Sequence, residues 1–118
     1  MRYEPIDPMS RGDVDAAIAR ADPDELTRVV LAVALHADEG PWAAAVCLQF
    51  ARHSHVNLRG NAILGLGHLA RRFGRLDPVA REVIEDGLRD GDDYVRGQAE
   101  AAADDVHHFL RWTIARSN

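Results

Sequence analysis

Two short segments of this chain read alike. Asn57-Leu-Arg-Gly-Asn-Ala62 and Tyr94-Val-Arg-Gly-Gln-Ala99 share an Arg-Gly-polar-Ala core, and Arg59 and Arg96 lie 37 residues apart. A self-match at that period is the mark of a repeat made of two helices. Such a unit cannot bury its apolar face alone and must stack on a neighbour. The feature restricts the chain to an all-α, layered architecture before any single residue is interpreted.

The surrounding pattern agrees. From Leu58 onward, apolar residues fall at Leu58, Ala62, Leu66, Leu69 and Phe73, helical spacings that define one face. Ile63 and Ala70 widen it enough to be buried from two sides. Gly60, Gly65 and Gly67 lie inside this helix, each costing about 1 kcal/mol against Ala, which close helix–helix approach would offset. Gly74 closes the helix, with Arg71 and Arg72 in its last turn.

Start signals set the remaining elements. Ser10 or Asp13 caps a first helix over 10–21, with Val14, Ala17, Ile18 and Ala21 inward. Asp22-Pro23 opens a second helix to about Ala37, and Asp38-Glu39-Gly40-Pro41 is a turn. A third helix runs from Pro41 to about His53, with Trp42, Ala45, Val46, Leu48, Gln49 and Phe50 as core candidates. Asp77-Pro78 opens a fifth to about Arg89, buried through Val79, Val83, Ile84 and Leu88. Asp92 or Asp93 caps a sixth, running to about Ile114. The reading is six helices and no strand, in an α-solenoid of about three hairpins. An arm covers 1–9 and the repeats span about 10–37, 41–73 and 78–115.

Composition excludes several function classes. The chain has 118 residues, enough for one domain with a real core. One cysteine, Cys47, rules out an intrachain disulfide, and no apolar run approaches a membrane span. The first ten residues lack a signal-peptide core, so a cytoplasmic location is expected. With 19 acidic against 14 basic residues the net charge is −5, which disfavours direct nucleic-acid binding and suits a basic protein partner.

At this point the chain resembles the HEAT-repeat family, through Asp92–Asp93, Val95-Arg96, Ala99 and Ala102–Ala103 in the last repeat. Leu58-Arg59, Ala62, Leu66 and Gly67 carry the likeness in the one before. The resemblance implies an arginine ladder of Arg59 and Arg96, with Asp90 or Asp93 supporting Arg96. His53 and His55 stand where the pattern has Asp90 and Asp92. The segment Arg59–Arg71, with Trp42 and Cys47-Leu48 upstream, is also similar to small bacterial HEAT-like immunity proteins of polymorphic toxin and contact-dependent growth inhibition systems. That resemblance implies a chain that binds a cognate toxin domain with a basic surface, such as a nuclease, and occludes its active site.

The second helices of the hairpins would then line a concave groove. Its candidate partner-binding residues are Asn57, Asn61, Leu64 and His68 on the fourth helix. On the sixth they are Tyr94, Gln98, Asp105, His108 and Trp112. His68 and Asp105, one repeat apart, form the only pairing that suggests acid–base chemistry, and no good nucleophile accompanies them. Cys47, between Val46 and Leu48, reads as a core residue. Neighbouring His107 and His108 diverge by about 100° on a helix and cannot share a metal, and His53 and His55 lack further ligands. Gly65-Leu66-Gly67 falls within a helix and is no phosphate loop. The expectation is a non-enzymatic binding protein without metal or cofactor. The alternatives are a generic HEAT adaptor or regulatory subunit and, less favoured, a HEAT-like phycobilin lyase or a helical DNA-repair glycosylase.

Overall fold

The computed structural model describes residues 5–116 and contains six helices, with no strand among the described residues. Five of the six helices start where a side chain accepts from one of their unpaired N–H groups. Ser10 Oγ accepts from Asp13 N at 3.0 Å and starts α1 (Arg11–Arg20). Asp22 accepts from Asp24 N, and Pro23 opens α2 (Pro23–His36). Helix α3 (Gly40–Phe50) has Glu39 at its cap position but no side-chain cap. His55 caps α4 (Val56–Phe73), which closes on Gly74 at φ 67°, the left-handed conformation that favours glycine. Asp77 Oδ1 accepts from Val79 N at the head of α5 (Val79–Leu88). Asp92 caps α6 (Asp93–Leu110) through both Tyr94 N and Val95 N.

Helix α4 is the hub. It packs most extensively on α6, then on α2 and α3, so α2, α4 and α6 form one layer with α4 in the middle. Helices α1, α3 and α5 each pack on the helix that follows them, while α3 and α5 hardly meet. This is the layering expected of stacked helical hairpins. The core follows from it: Leu58, Ile63, Leu66 and Leu69 of α4 are completely enclosed, with Val30 of α2 on one flank and Val95 and Val106 of α6 on the other.

The glycines of α4 mark where its neighbours come closest. A Cβ on Gly65 would fall 2.8 Å from Cys47 Sγ and 3.2 Å from Ala34 Cβ. One on Gly67 would fall 2.8 Å from the Ala102 Cα. Both are closer than real Cβ contacts come, so the helix-propensity cost of these glycines is offset by close packing.

Some sequence expectations fail, for identifiable reasons. In α3, Ala45 and Gln49 are exposed, and Ala43, Ala44 and Cys47 take buried places, with Ala51 buried just past the helix end. The helix is apolar nearly all round, so its pattern does not set its phase. Ala21 is exposed because it forms the left-handed cap of α1 at φ 57°. Val79 is 46% exposed, being the first residue of its helix. Helix α3 stops at Phe50 rather than His53, and α6 at Leu110 rather than Ile114. At that point Arg111 turns left-handed at φ 60° and its N–H caps the His107 carbonyl.

Candidate protein-binding face

The site begins with the two arginine-led helix starts. In the 53–59 turn, His53 Nδ1 accepts from His55 N at 3.0 Å and His55 Nδ1 accepts from Leu58 N at 3.2 Å. In the 90–96 turn, Asp90 Oδ1 accepts from Asp92 N at 3.0 Å, and Asp92 Oδ1 accepts from Val95 N at 3.3 Å. Arg59 Nη1 donates to the His53 carbonyl, as Arg96 Nη1 does to the Asp90 carbonyl. These three bonds recur one repeat apart, with two imidazoles in place of two carboxylates. His55 Nε2 lies 3.2 Å from Asp24 Oδ1, which fixes the tautomer with Nδ1 free to accept.

The turns are also joined to each other. Arg59 donates to both carboxylate oxygens of Asp90, Nε at 2.8 Å and Nη2 at 2.9 Å, with both side chains less than one-fifth exposed. The arginine hydrogen bonds, and behind them the Asp92 N–H, hold the Asp90 carboxyl below its ordinary value against the opposing effect of burial. The resemblance placed Asp90 or Asp93 with Arg96. The structure gives the Asp90 carboxylate to Arg59 and its carbonyl to Arg96, while Asp93 pairs with Arg96 at the surface. Asp90 is thus the staple between adjacent repeats.

Between α4 and α6 runs a seam where most of the sequence-derived groove residues fall. Asn57, Tyr94 and His108 are exposed, while Leu64, His68, Gln98 and Asp105 are half-buried. Asn61 is only 6% exposed, so it is a structural junction with little surface for a partner. Its Nδ2 donates to the Thr27 carbonyl of α2, and its Oδ1 accepts from the Tyr94 hydroxyl and from Gln98 Nε2 of α6. Three helices are tied at that one amide, which holds Tyr94 over Gly60. The ring stays 43% exposed.

His68 lies further along the seam. Burial pushes its pKa down, the neighbouring Arg71 guanidinium adds to this, and Asp105 opposes both. Arg71 Nη2 lies 3.2 Å from His68 Nδ1. Asp105 reaches α4 because residue 67 has no side chain: a Cβ there would lie 2.9 Å from Asp105 Oδ2. The structure thus brings His68 and Asp105 to one place. Cys47, the chain's one thiol, is fully buried on α3, where burial pushes it up to about 12.

Trp112 is not in the seam. Helix α6 has ended before it, and Arg81 of α5 stacks over its ring at 5.3 Å. The following residues continue onto α5, where Ala115 N donates to Glu85 Oε2 at 2.7 Å. At the other end of the stack the arm rests on α2, with the Ile6 carbonyl 2.6 Å from His36 Nε2.

Sequence reasoning missed one surface feature. Because α3 and α5 hardly meet, a cleft of about 720 Å³ opens between α3 and the α4–α5 connection, with Pro41, Ala44, Leu48, Phe73, Leu76 and Pro78 among its walls. It uses another face of α4 than the seam does. No helix among the described residues is long and apolar enough to cross a membrane. None of their His, Cys, Asp and Glu side chains gather in threes as a metal site requires.

The chain superposes on a chain of a CDI complex from Cupriavidus taiwanensis LMG 19424 with a TM-score of 0.79 and 29% sequence identity, covering 92% of this chain and 97% of that one. No family model and no curated protein matches the chain.

Proposed function

We propose that this chain is an immunity protein of the contact-dependent growth inhibition kind, built of HEAT-like repeats. In this reading it binds a toxin domain in the cytoplasm and keeps it inactive by covering its active site, without a covalent step. The observation that carries this reading is the likeness to a chain found in a CDI complex. It runs over almost the whole of both chains, so it concerns a complete fold and not a shared fragment.

The seam between α4 and α6 supports the same reading. It offers an exposed aromatic, Tyr94, on a rigid base tied through Asn61, beside polar side chains. Aromatic anchors on pre-organised surfaces are what strong protein interfaces use. The net charge of −5 favours encounter with a basic toxin domain.

The reading expects the gene directly upstream of this chain's own to encode a toxin domain, and the test is growth of cells producing that domain. Co-production of the chain is expected to restore growth and to yield a complex that co-purifies in equal amounts. Growth arrest that persists despite soluble chain would refute the proposal.

A further inference from the structure

Helix α6 carries four carboxylates, Asp93, Glu100, Asp104 and Asp105, of which Glu100 stands exposed to solvent. Asp93 is paired with Arg96, and Asp104 with Arg116. Asp105 forms no hydrogen bond or ion pair among the described residues, although it is half-buried in the seam. A carboxylate drawn partly out of water without a partner is costly, and a cation that reaches it gains a charge-assisted hydrogen bond.

Its surroundings keep it unpaired. Arg71 is the nearby cation, but its guanidinium is directed to His68 Nδ1. With Nδ1 accepting, the ring proton of a neutral His68 sits on Nε2. The charged groups acting on His68 are Arg71 from its own helix and Asp105 from α6. Burial and Arg71 both disfavour the imidazolium, so at neutral pH the ring does not neutralise Asp105. Gly67 completes the arrangement: without a Cβ there, Asp105 can sit against α4.

We propose that Asp105 receives a cationic side chain, Arg or Lys, from the partner protein, and that His68 competes with that cation when the medium is acidified. This rests on the functional reading above and specifies the chemistry of its contact. At neutral pH the seam presents one open carboxylate, with Tyr94 three helical turns away as the aromatic anchor. Protonated, His68 is repelled by Arg71 and attracted by Asp105, so the ring itself satisfies the carboxylate and the partner's cation loses its site.

The experiment is a calorimetric titration of the full chain with the upstream-encoded toxin domain at pH 7.5 and at stepwise lower pH. It uses the unaltered chain, Asp105→Asn, Asp104→Asn and His68→Gln, with a thermal melt of each variant. Asp105→Asn is expected to weaken binding about thirty-fold at pH 7.5 with its melting temperature unchanged, in keeping with loss of one close interfacial charge pair. Asp104→Asn is expected to change affinity less than two-fold. Binding by the unaltered chain is expected to weaken as the medium is acidified stepwise below the ordinary imidazole value, and His68→Gln to remove most of that dependence; an affinity independent of pH, or the same dependence in His68→Gln, would overturn the competition by His68.

Binding by Asp105→Asn within two-fold of the unaltered chain would overturn this inference and leave the functional reading standing. An equal loss in the Asp104 and Asp105 variants would also overturn it, as a general charge effect. No binding by the unaltered chain would overturn the functional reading, and this inference with it.

Discussion

The starts of α4 and α6 are two copies of one unit, and they differ most in what covers them. Gly60 of the middle copy lies under the Tyr94 ring, whereas a Cβ on its counterpart Gly97 would meet nothing within 4 Å. Ile63, Gly67 and Ala70 of α4 are buried, and their counterparts Glu100, Asp104 and His107 are exposed. The last repeat keeps the same wiring at its turn but replaces the small and apolar residues that would receive another repeat. A solenoid needs such a polar outer face to stop stacking. The comparison teaches that the repeat fixes the inner geometry, while position in the stack decides which residues are structural.

Substitutions at matched positions can break this comparison. The largest effect is expected from Gly67→Leu, whose side chain would drive into the Ala102 backbone. Overpacking of that kind costs about 3 kcal/mol in urea unfolding, while Asp104→Leu at the matching exposed position should stay within about 0.5 kcal/mol. Comparable losses at the two sites would show that α6 is covered as α4 is.

The arginines come next. Arg59→Ala strands the enclosed Asp90 carboxylate and should cost about 2 kcal/mol, between the values for exposed and buried pairs. Arg96→Ala should cost less than about 1 kcal/mol, because its partner Asp93 is 95% exposed. The same pair sets an acid limit. The Asp90 pKa is lowered from its ordinary 3.8 in the folded chain. Its stabilisation is therefore present above pH 3.8 and is lost as pH falls through the folded value. Asp90→Asn should flatten the stability profile only in that acid range.

Caps sharpen the comparison further. His55→Ala and Asp92→Ala each remove one N-cap and should each cost about 1 kcal/mol, because each side chain accepts from the N–H three residues on. A much smaller loss at His55 would mean that imidazole is a poor substitute for carboxylate. The smallest change is a gain. Gly97→Ala should stabilise the chain by somewhat under 1 kcal/mol, and Gly60→Ala should not, since its Cβ would lie 2.8 Å from the Tyr94 ring.

Much of this fold was legible in the chain, and what was not has common physical causes. The caps Ser10, Asp22 and Asp92, the closing Gly74 and the central α4 were legible because each is set by local chemistry or by a clear period. The phase of α3 was hidden because almost every residue from Gly40 to Phe50 is apolar. The end of α6 was hidden because Arg111, not a glycine, takes the left-handed position. At the candidate face, the repeat register brought His68 and Asp105 together on paper. The burial of Asn61 and the pairing of Arg59 with Asp90 depend on contacts between repeats, which no local pattern records.

In the proposed function, this chain acts by forming a tight, stoichiometric complex with a toxin domain. Isothermal titration of the purified chain into the upstream-encoded toxin domain tests it most directly. One-to-one binding with a nanomolar Kd and loss of the toxin's activity at equivalence are expected. Absence of binding, or binding that leaves the toxin fully active, would contradict it.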